Sequence, residues 1–395
     1  MPVPQLHPIV IRDETWLDSR DQPNWSSSVG LGLRRWLPAV IGIASAILVL
    51  AIVVEFTGGM TSSRGATARQ APIRQIAFNQ LQHGRNQIFT IMGDGTRLQQ
   101  VTTEDANHTQ IAWSPDGKMI AFVSDIDGHE QIYIIASNGT NERRLANDDA
   151  RDLAPIWSPD GNQIAFLSIR GTASSISIIN RDGSNVRQLT DPTTTERIFL
   201  PLTWSPDGRT IAFANGTATQ SNIAVVTVSD AKIRQFNELA GHSTNPAWSP
   251  DGKEVVFTHN TIVDGATESH LYAMQADGSQ LRQITTGAVR DDWPAWSPDG
   301  RQIAFVREQA ASYAIWLMNA DGSNLQQLNS APPGQLYEFL TWSPDGQTIV
   351  FARQPIVNAA SGVEALETIG VDGQNLRTLS THLVPGSWPA LQPAQ

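Results

Sequence analysis

Residues 113–117 read Trp-Ser-Pro-Asp-Gly, and the same five residues return at 157–161, 204–208, 248–252, 296–300 and 342–346. Successive tryptophans are 44, 47, 44, 48 and 46 residues apart. A motif at a near-constant period marks one supersecondary unit copied in tandem. The motif itself is turn chemistry. Pro presets φ at the second turn position, Asp suits the third, and Gly accepts positive φ at the fourth. A tight hairpin between two strands follows.

Two further signals recur outward from the pentapeptide. A short apolar run ending in Phe follows each copy, at Ile120–Phe122, Ile164–Phe166, Ile211–Phe213, Val255–Phe257, Ile303–Phe305 and Ile349–Phe351. A seventh run, Ile76–Phe78, has no pentapeptide before it. Later in each period comes a second turn, as at Asp94-Gly95, Asn138-Gly139, Asp182-Gly183, Asp277-Gly278, Asp321-Gly322 and Asp372-Gly373, degenerate at Asp230-Ala231. Four short strands per ~45 residues, with a turn between each pair, is the pattern of a β-propeller blade. Pro and Gly inside every period exclude a helical solenoid. Trp113, Trp157, Trp204, Trp248, Trp296 and Trp342 are expected to fill space between blades. Asp116, Asp160, Asp207, Asp251, Asp299 and Asp345 are read as structural turn residues.

One inner strand is missing from this tally, and the C-terminus supplies it. Trp388-Pro389-Ala390-Leu391 aligns with Trp293-Pro294-Ala295-Trp296. Residues 385–391 would thus complete a first blade begun by residues 74–101 and close the ring. The expectation is an all-β, seven-bladed propeller over residues 72–395, with six blades as the fallback.

The pentapeptide, its Ile-Ala-Phe run and the Asp-Gly-Ser-Asn type of turn together resemble the WD-like repeats of the TolB-type propeller family. The resemblance covers most of residues 72–395. It implies a place outside the cytoplasmic membrane and a binding role. TolB has six blades behind an N-terminal α/β domain; here a seventh blade is expected, and a membrane anchor stands in place of that domain.

Leu37–Val54 carries no charged residue over 18 positions. That length spans a bilayer core as a helix. Arg34 and Arg35 precede it, favouring a cytoplasmic N-terminus, although Arg64, Arg69 and Arg74 lie on the other side. The expected organisation is a flexible tail (1–35), a transmembrane signal anchor (36–57), a linker (58–71) and the propeller. A cleaved signal peptide is the rival reading, with a leader longer than usual.

Composition narrows the chemistry. The chain has no cysteine, which removes disulfides, thiolate metal sites and a cysteine nucleophile. Its formal charge of −11 argues against a nucleic-acid partner. Residues 71–395 hold 21 basic and 33 acidic groups without a run of five like charges, a distribution read as solubility. No G-x-S-x-G elbow, phosphate loop or dinucleotide fingerprint is present. Asp125-Ile126-Asp127-Gly128 looks like the start of a calcium loop, but the other ligand positions are missing and a hairpin turn is expected there.

The remaining candidates sit before the inner strands, at one mouth of the expected channel. They are His108, Asp152, His242, Asp291, Asp292, Glu338 and His382. Converging His and carboxylate groups could hold a metal or a cationic ligand. They could equally be solvated loop residues. No catalytic residue, metal ligand or cofactor is assigned, and no nucleophile–base pair is visible. The leading expectation is a membrane-anchored scaffold of the cell envelope that binds a protein, peptide or glycan. Related propellers of the oligogalacturonate-lyase type hold a divalent metal with histidines in the channel. They imply the alternative of a metal-dependent enzyme acting on polysaccharide. A transmembrane sensor with the propeller as its ligand-binding domain is the other alternative.

Overall fold

The computed structural model describes residues 75–146, 149–192, 197–217, 219–236, 239–263, 266–356, 364–381, 383 and 389–393. The tail, anchor and linker expected over 1–71 lie outside them, as do His382 and Trp388. Among the described residues every regular element is a strand, and no helix is long and apolar enough to cross a membrane.

The second unit shows how the repeat folds. Its strands are His108–Trp113, Met119–Ser124, Gln131–Ala136 and Arg143–Arg144, each antiparallel to the next. The pentapeptide makes the first turn. The Gly117 amide donates to the Ser114 carbonyl at 2.8 Å, and Gly117 has φ of 63°. The Ser114 hydroxyl donates to Asp116 Oδ1 at 2.5 Å and accepts the Met119 amide at 2.9 Å. The Lys118 amide donates to the same carboxylate oxygen at 3.1 Å. Ser–Asp bonds of 2.5–2.7 Å repeat at 158–160, 205–207, 249–251, 297–299 and 343–345. The six aspartates therefore cap turns. Hydrogen bonds from Ser249 and the Lys253 amide hold the Asp251 pKa down to about 2.

The Asp-Gly turn between the third and fourth strands is built alike. Asp182 Oδ1 accepts both the amide and the hydroxyl of Ser184, at 2.9 and 2.6 Å. Both turns lie at one end of the unit, since the Arg181 amide donates to the Asn162 carbonyl at 2.8 Å. Arginines tie these turns to the preceding unit, a link that the repeat pattern does not signal. Arg143 donates to the Arg181 and Asp182 carbonyls, and Arg187 to those of Val228 and Ser229. The approach is close: a Cβ on Gly139 would stand 2.9 Å from the Val101 carbonyl oxygen.

The tryptophans also reach across units. The indole N–H of Trp157 donates to the Ala112 carbonyl at 3.1 Å, just before Trp113. Trp204, Trp296 and Trp342 bond to Ile156, Ala247 and Ala295 in the same way. Trp248 departs from the pattern, its buried N–H having no partner among the described residues.

Among the described residues, 28 strands form four sheets of four and one of twelve. The larger sheet is three four-stranded groups joined through single parallel bridges, Ser221 to His242 and Ser269 to Arg290. The first sheet contains the C-terminal strand Ala390–Leu391, paired to Ala77 and Ile76. The Ala390 carbonyl accepts the Trp113 indole at 3.0 Å, so the C-terminus fills the station that the missing pentapeptide leaves.

Apolar residues point alternately to the two faces of each sheet and meet those of the next. Ala165, Ile176, Trp204 and Phe213 share one cluster; Ala212, Ile223, Val255 and Phe257 share the following one. The last group meets the first through Val350, Leu366, Ile76 and Phe78.

Candidate functional site

Away from the two turns, the inner strand is interrupted in six of the units. Its pairing register shifts at Thr109/Ala112, Leu153/Ile156, Phe199/Thr203, Thr244/Ala247, Asp292/Ala295 and Glu338/Thr341. Gln110, Ala154, Asn245, Trp293 and Phe339 take positive φ of 51–57° at these places. Each is a β-bulge that bends the strand, adding one residue in five units and two at Phe199/Thr203.

The bulges correct the placement of the candidates. They were expected in loops, but His108, Asp152, His242, Asp291, Asp292 and Glu338 all lie within strands. The bulge breaks the two-residue alternation, so the inner strand looks shorter in sequence than it is. Nor are they uniformly solvated. His108, Asp152 and Asp291 are fully buried, while His242, Asp292 and Glu338 are partly exposed. His382 lies outside the described residues.

Their surroundings differ. His108 packs edge-on against Phe122 at 5.3 Å, and burial lowers its pKa, which keeps the ring neutral. Neither ring nitrogen has a partner among the described residues. Asp291 accepts two bonds from Arg307, at 2.6 and 2.8 Å. The Arg307 guanidinium lies 4.9 Å from the Trp316 ring centre and 5.4 Å from that of Phe305. A buried carboxylate without a cation would be far too costly, and this fork of two bonds supplies one. Asp292 Oδ1 accepts Thr258 Oγ1, Asn245 Nδ2 and the Trp293 amide, each at 2.7 Å. Burial pushes the Asp292 pKa up, and these donors pull against that rise.

The structure thus brings Asp291 and Asp292 together with Asn245, Thr258 and Arg307, at the junction of the fifth and sixth units. His108, Asp152 and Glu338 stand in other units. Beside Glu338, Phe339 meets Trp293 edge-on at 4.7 Å. Among the described residues no group of three or more His, Asp or Glu side chains is placed to hold a metal ion.

Residues 52–201 and 170–393 match the TolB beta propeller domain. The chain belongs to the TolB β-propeller family. No curated protein is significantly similar to it. Several solved structures are. TolB from Acinetobacter baumannii is 18% identical, with 81% of this chain and 67% of that one covered and a TM-score of 0.51. Oligogalacturonate lyase from Vibrio parahaemolyticus is 16% identical over 79% of this chain and 86% of that one, with a TM-score of 0.60. A puromycin-hydrolyzing peptidase from Mycobacterium tuberculosis is 13% identical over 79% of this chain and 54% of that one, also with a TM-score of 0.60. At these identities the likeness is one of fold, and fold does not carry function.

Within this TolB-type propeller the sequence reading missed one arrangement. Ser243 Oγ and His259 Nδ1 are 2.9 Å apart, a nucleophile–base spacing, whereas no such pair was visible in the sequence. They stand on paired strands, at opposed register positions 16 residues apart in the chain. The pair is closed to substrate: Ser243 is 0% and His259 3% exposed. Burial lowers the His259 pKa, and a hydrogen bond to the Ala240 backbone opposes that shift. The geometry suits a buried structural link. Arg307 was also missed, although a charge two residues beyond Phe305, on the inward face of a strand, signals a buried partner. The Trp316 ring is a face against which that arginine stacks.

Proposed function

We propose that this chain is a membrane-anchored, extracytoplasmic propeller of seven blades, serving as a binding or scaffold module of the cell envelope. Seven blades accord with the clusters shared by successive units and with the C-terminal strand that pairs beside the first. The anchor rests on the uncharged run Leu37–Val54. The partner is a protein, a peptide or a glycan, and not a nucleic acid.

The observation that carries binding over catalysis is the condition of the polar groups at the bulge end. Asp291 is neutralised by Arg307, Asp292 is held by three donors, and the Ser243–His259 pair is buried. Groups so satisfied stabilise a rigid surface and are poorly available for proton transfer.

The test uses the full chain expressed in a bacterial envelope. Retention in the membrane after alkaline extraction, with the propeller digested by protease added to spheroplasts, is expected. Recovery in the soluble fraction or protection from that protease would overturn the placement. Detergent extraction, affinity capture and metal analysis follow on the same sample. A stoichiometric divalent ion together with cleavage of a polysaccharide would overturn the binding reading in favour of a propeller enzyme.

A further inference from the structure

The two adjacent carboxylates at the seam of the fifth and sixth units are not equally provided for. Asp291 has a cation, since Arg307 donates to both of its oxygens. Arg290, next in the chain, is paired to Glu308. Asp292 has no such partner. Its Oδ1 takes three bonds, all from neutral donors: Thr258 Oγ1 and Asn245 Nδ2 of the fifth unit and the Trp293 amide of its own. Its Oδ2 accepts no hydrogen bond and meets no cation among the described residues. That oxygen is not enclosed, and the side chain is partly exposed. Two carboxylates and one guanidinium thus leave one negative charge without a counterpart. Burial pushes the Asp292 pKa up, and the Asp291 charge adds to the rise. A carboxylate so placed gains most from an incoming cation. Beside it stand Trp293 and Phe339, both partly exposed, their ring centres 4.7 Å apart. Trp293 takes φ of 55°, which a bulky residue seldom adopts, with its amide held on Asp292.

We propose that Asp292 Oδ2 receives the ammonium group of a lysine side chain from a protein or peptide partner, the lysine stem lying against Trp293 and Phe339. This rests on the binding reading above and names the chemistry that it recognises. Three arguments select the group. A divalent ion needs several oxygen ligands, and no group of three His, Asp or Glu side chains is placed to supply them among the described residues. A guanidinium pairs best with both carboxylate oxygens, and Oδ1 already holds three donors. An ammonium is a point charge that needs one oxygen. Its aliphatic stem packs on apolar surface, and aromatic faces attract the charged head.

The test uses the full chain in detergent micelles. The probe is an acetylated, amidated pentapeptide of alanines with a central lysine, compared with its norleucine and arginine counterparts by NMR line broadening. The lysine peptide is expected to bind about tenfold tighter than the norleucine peptide, which is the worth of one charged hydrogen bond. Asp292→Asn keeps an oxygen for the three donors and removes the charge. It should melt like the wild type and lose that preference. A lysine preference retained in folded Asp292→Asn, or an arginine peptide bound as tightly, would overturn the proposal and leave the binding reading standing. Glucosamine bound more tightly than the lysine peptide would overturn lysine as the source of the ammonium. Carbodiimide coupling of the lysine peptide to the wild-type chain gives a readout that needs no variant. Mass spectrometry should find coupling at Asp292 above that at the exposed turn residues Asp182 and Asp321. Coupling at the turns with Asp292 unmodified would overturn the proposal. The binding reading falls only with a stoichiometric ion and polysaccharide cleavage, so the two fail separately.

Discussion

The turn end and the bulge end of this propeller are built on opposite rules. At the turn end, six units use the same five residues and make the same bonds: serine to aspartate, glycine amide to serine carbonyl. At the bulge end the units diverge. The residue five before the tryptophan is His108, Asp152, Phe199, Ser243, Asp291 and Tyr337 in turn, and of these only the aspartate recurs. Residues that recur unchanged meet a demand that recurs unchanged, which is the geometry of the hairpin. Residues that differ from unit to unit answer local demands, and those are where binding specificity can be written.

The largest effect tests the station where the turn end is not built from its own motif. Removing residues 389–395 takes away the acceptor of the Trp113 indole and uncovers the edge at Ile76 and Ala77. A loss of several kcal/mol is expected, lowering Tm by on the order of 10 °C. A truncated chain that melts with the full one would refute closure by the C-terminus. Next is Arg307→Ala at the bulge end, which strands the buried Asp291 carboxylate and should cost about 3–5 kcal/mol in denaturant unfolding. The double variant Arg307→Met with Asp291→Leu should recover most of that loss. If Arg307→Ala cost less than a turn-serine variant, the contrast between the ends would be wrong.

Turn variants should be smaller and alike. Ser158→Ala and Ser297→Ala each remove one repeated hydroxyl and should cost about 1 kcal/mol, agreeing within about 0.5 kcal/mol. Acid sharpens the same point. The turn carboxylates of Asp160, Asp207 and Asp251 titrate below their usual range, Asp251 down to about 2, each with its serine as the largest cause. A pKa lowered in the folded state contributes stability that is present above the unfolded value and is lost as pH falls through the folded one. Unfolding midpoints should therefore fall between about pH 4 and pH 2, and Ser249→Ala should flatten that fall. Smallest of all, Arg301→Ala removes an exposed pair at 3.9 Å and should change stability by less than about 0.5 kcal/mol.

Legibility in sequence followed the same division. The hairpins, the apolar-Phe strands, the interblade tryptophans and the C-terminal strand could all be read, because each uses local chemistry or close repetition. The candidates at the other end were located by residue but misjudged by environment. Asp291 reads as a loop acid until Arg307 is seen opposite it, and nothing between the two predicts their pairing. Ser243 and His259 meet only because a bulge sets the register between their strands. The arginines that clasp the next unit's turn were equally hidden, since Arg143 and Asp182 are 39 residues apart in the chain.

By itself, then, the amino-acid order determined the repeated unit, its four strands and its turns. Those depend on φ preferences, on short-range hydrogen bonds and on a period that needs no partner to be recognised. Tertiary structure alone decided which polar side chains are buried and which are paired. Burial and pairing arise when strands distant in sequence are brought into register, and a bulge of one residue is enough to reassign them.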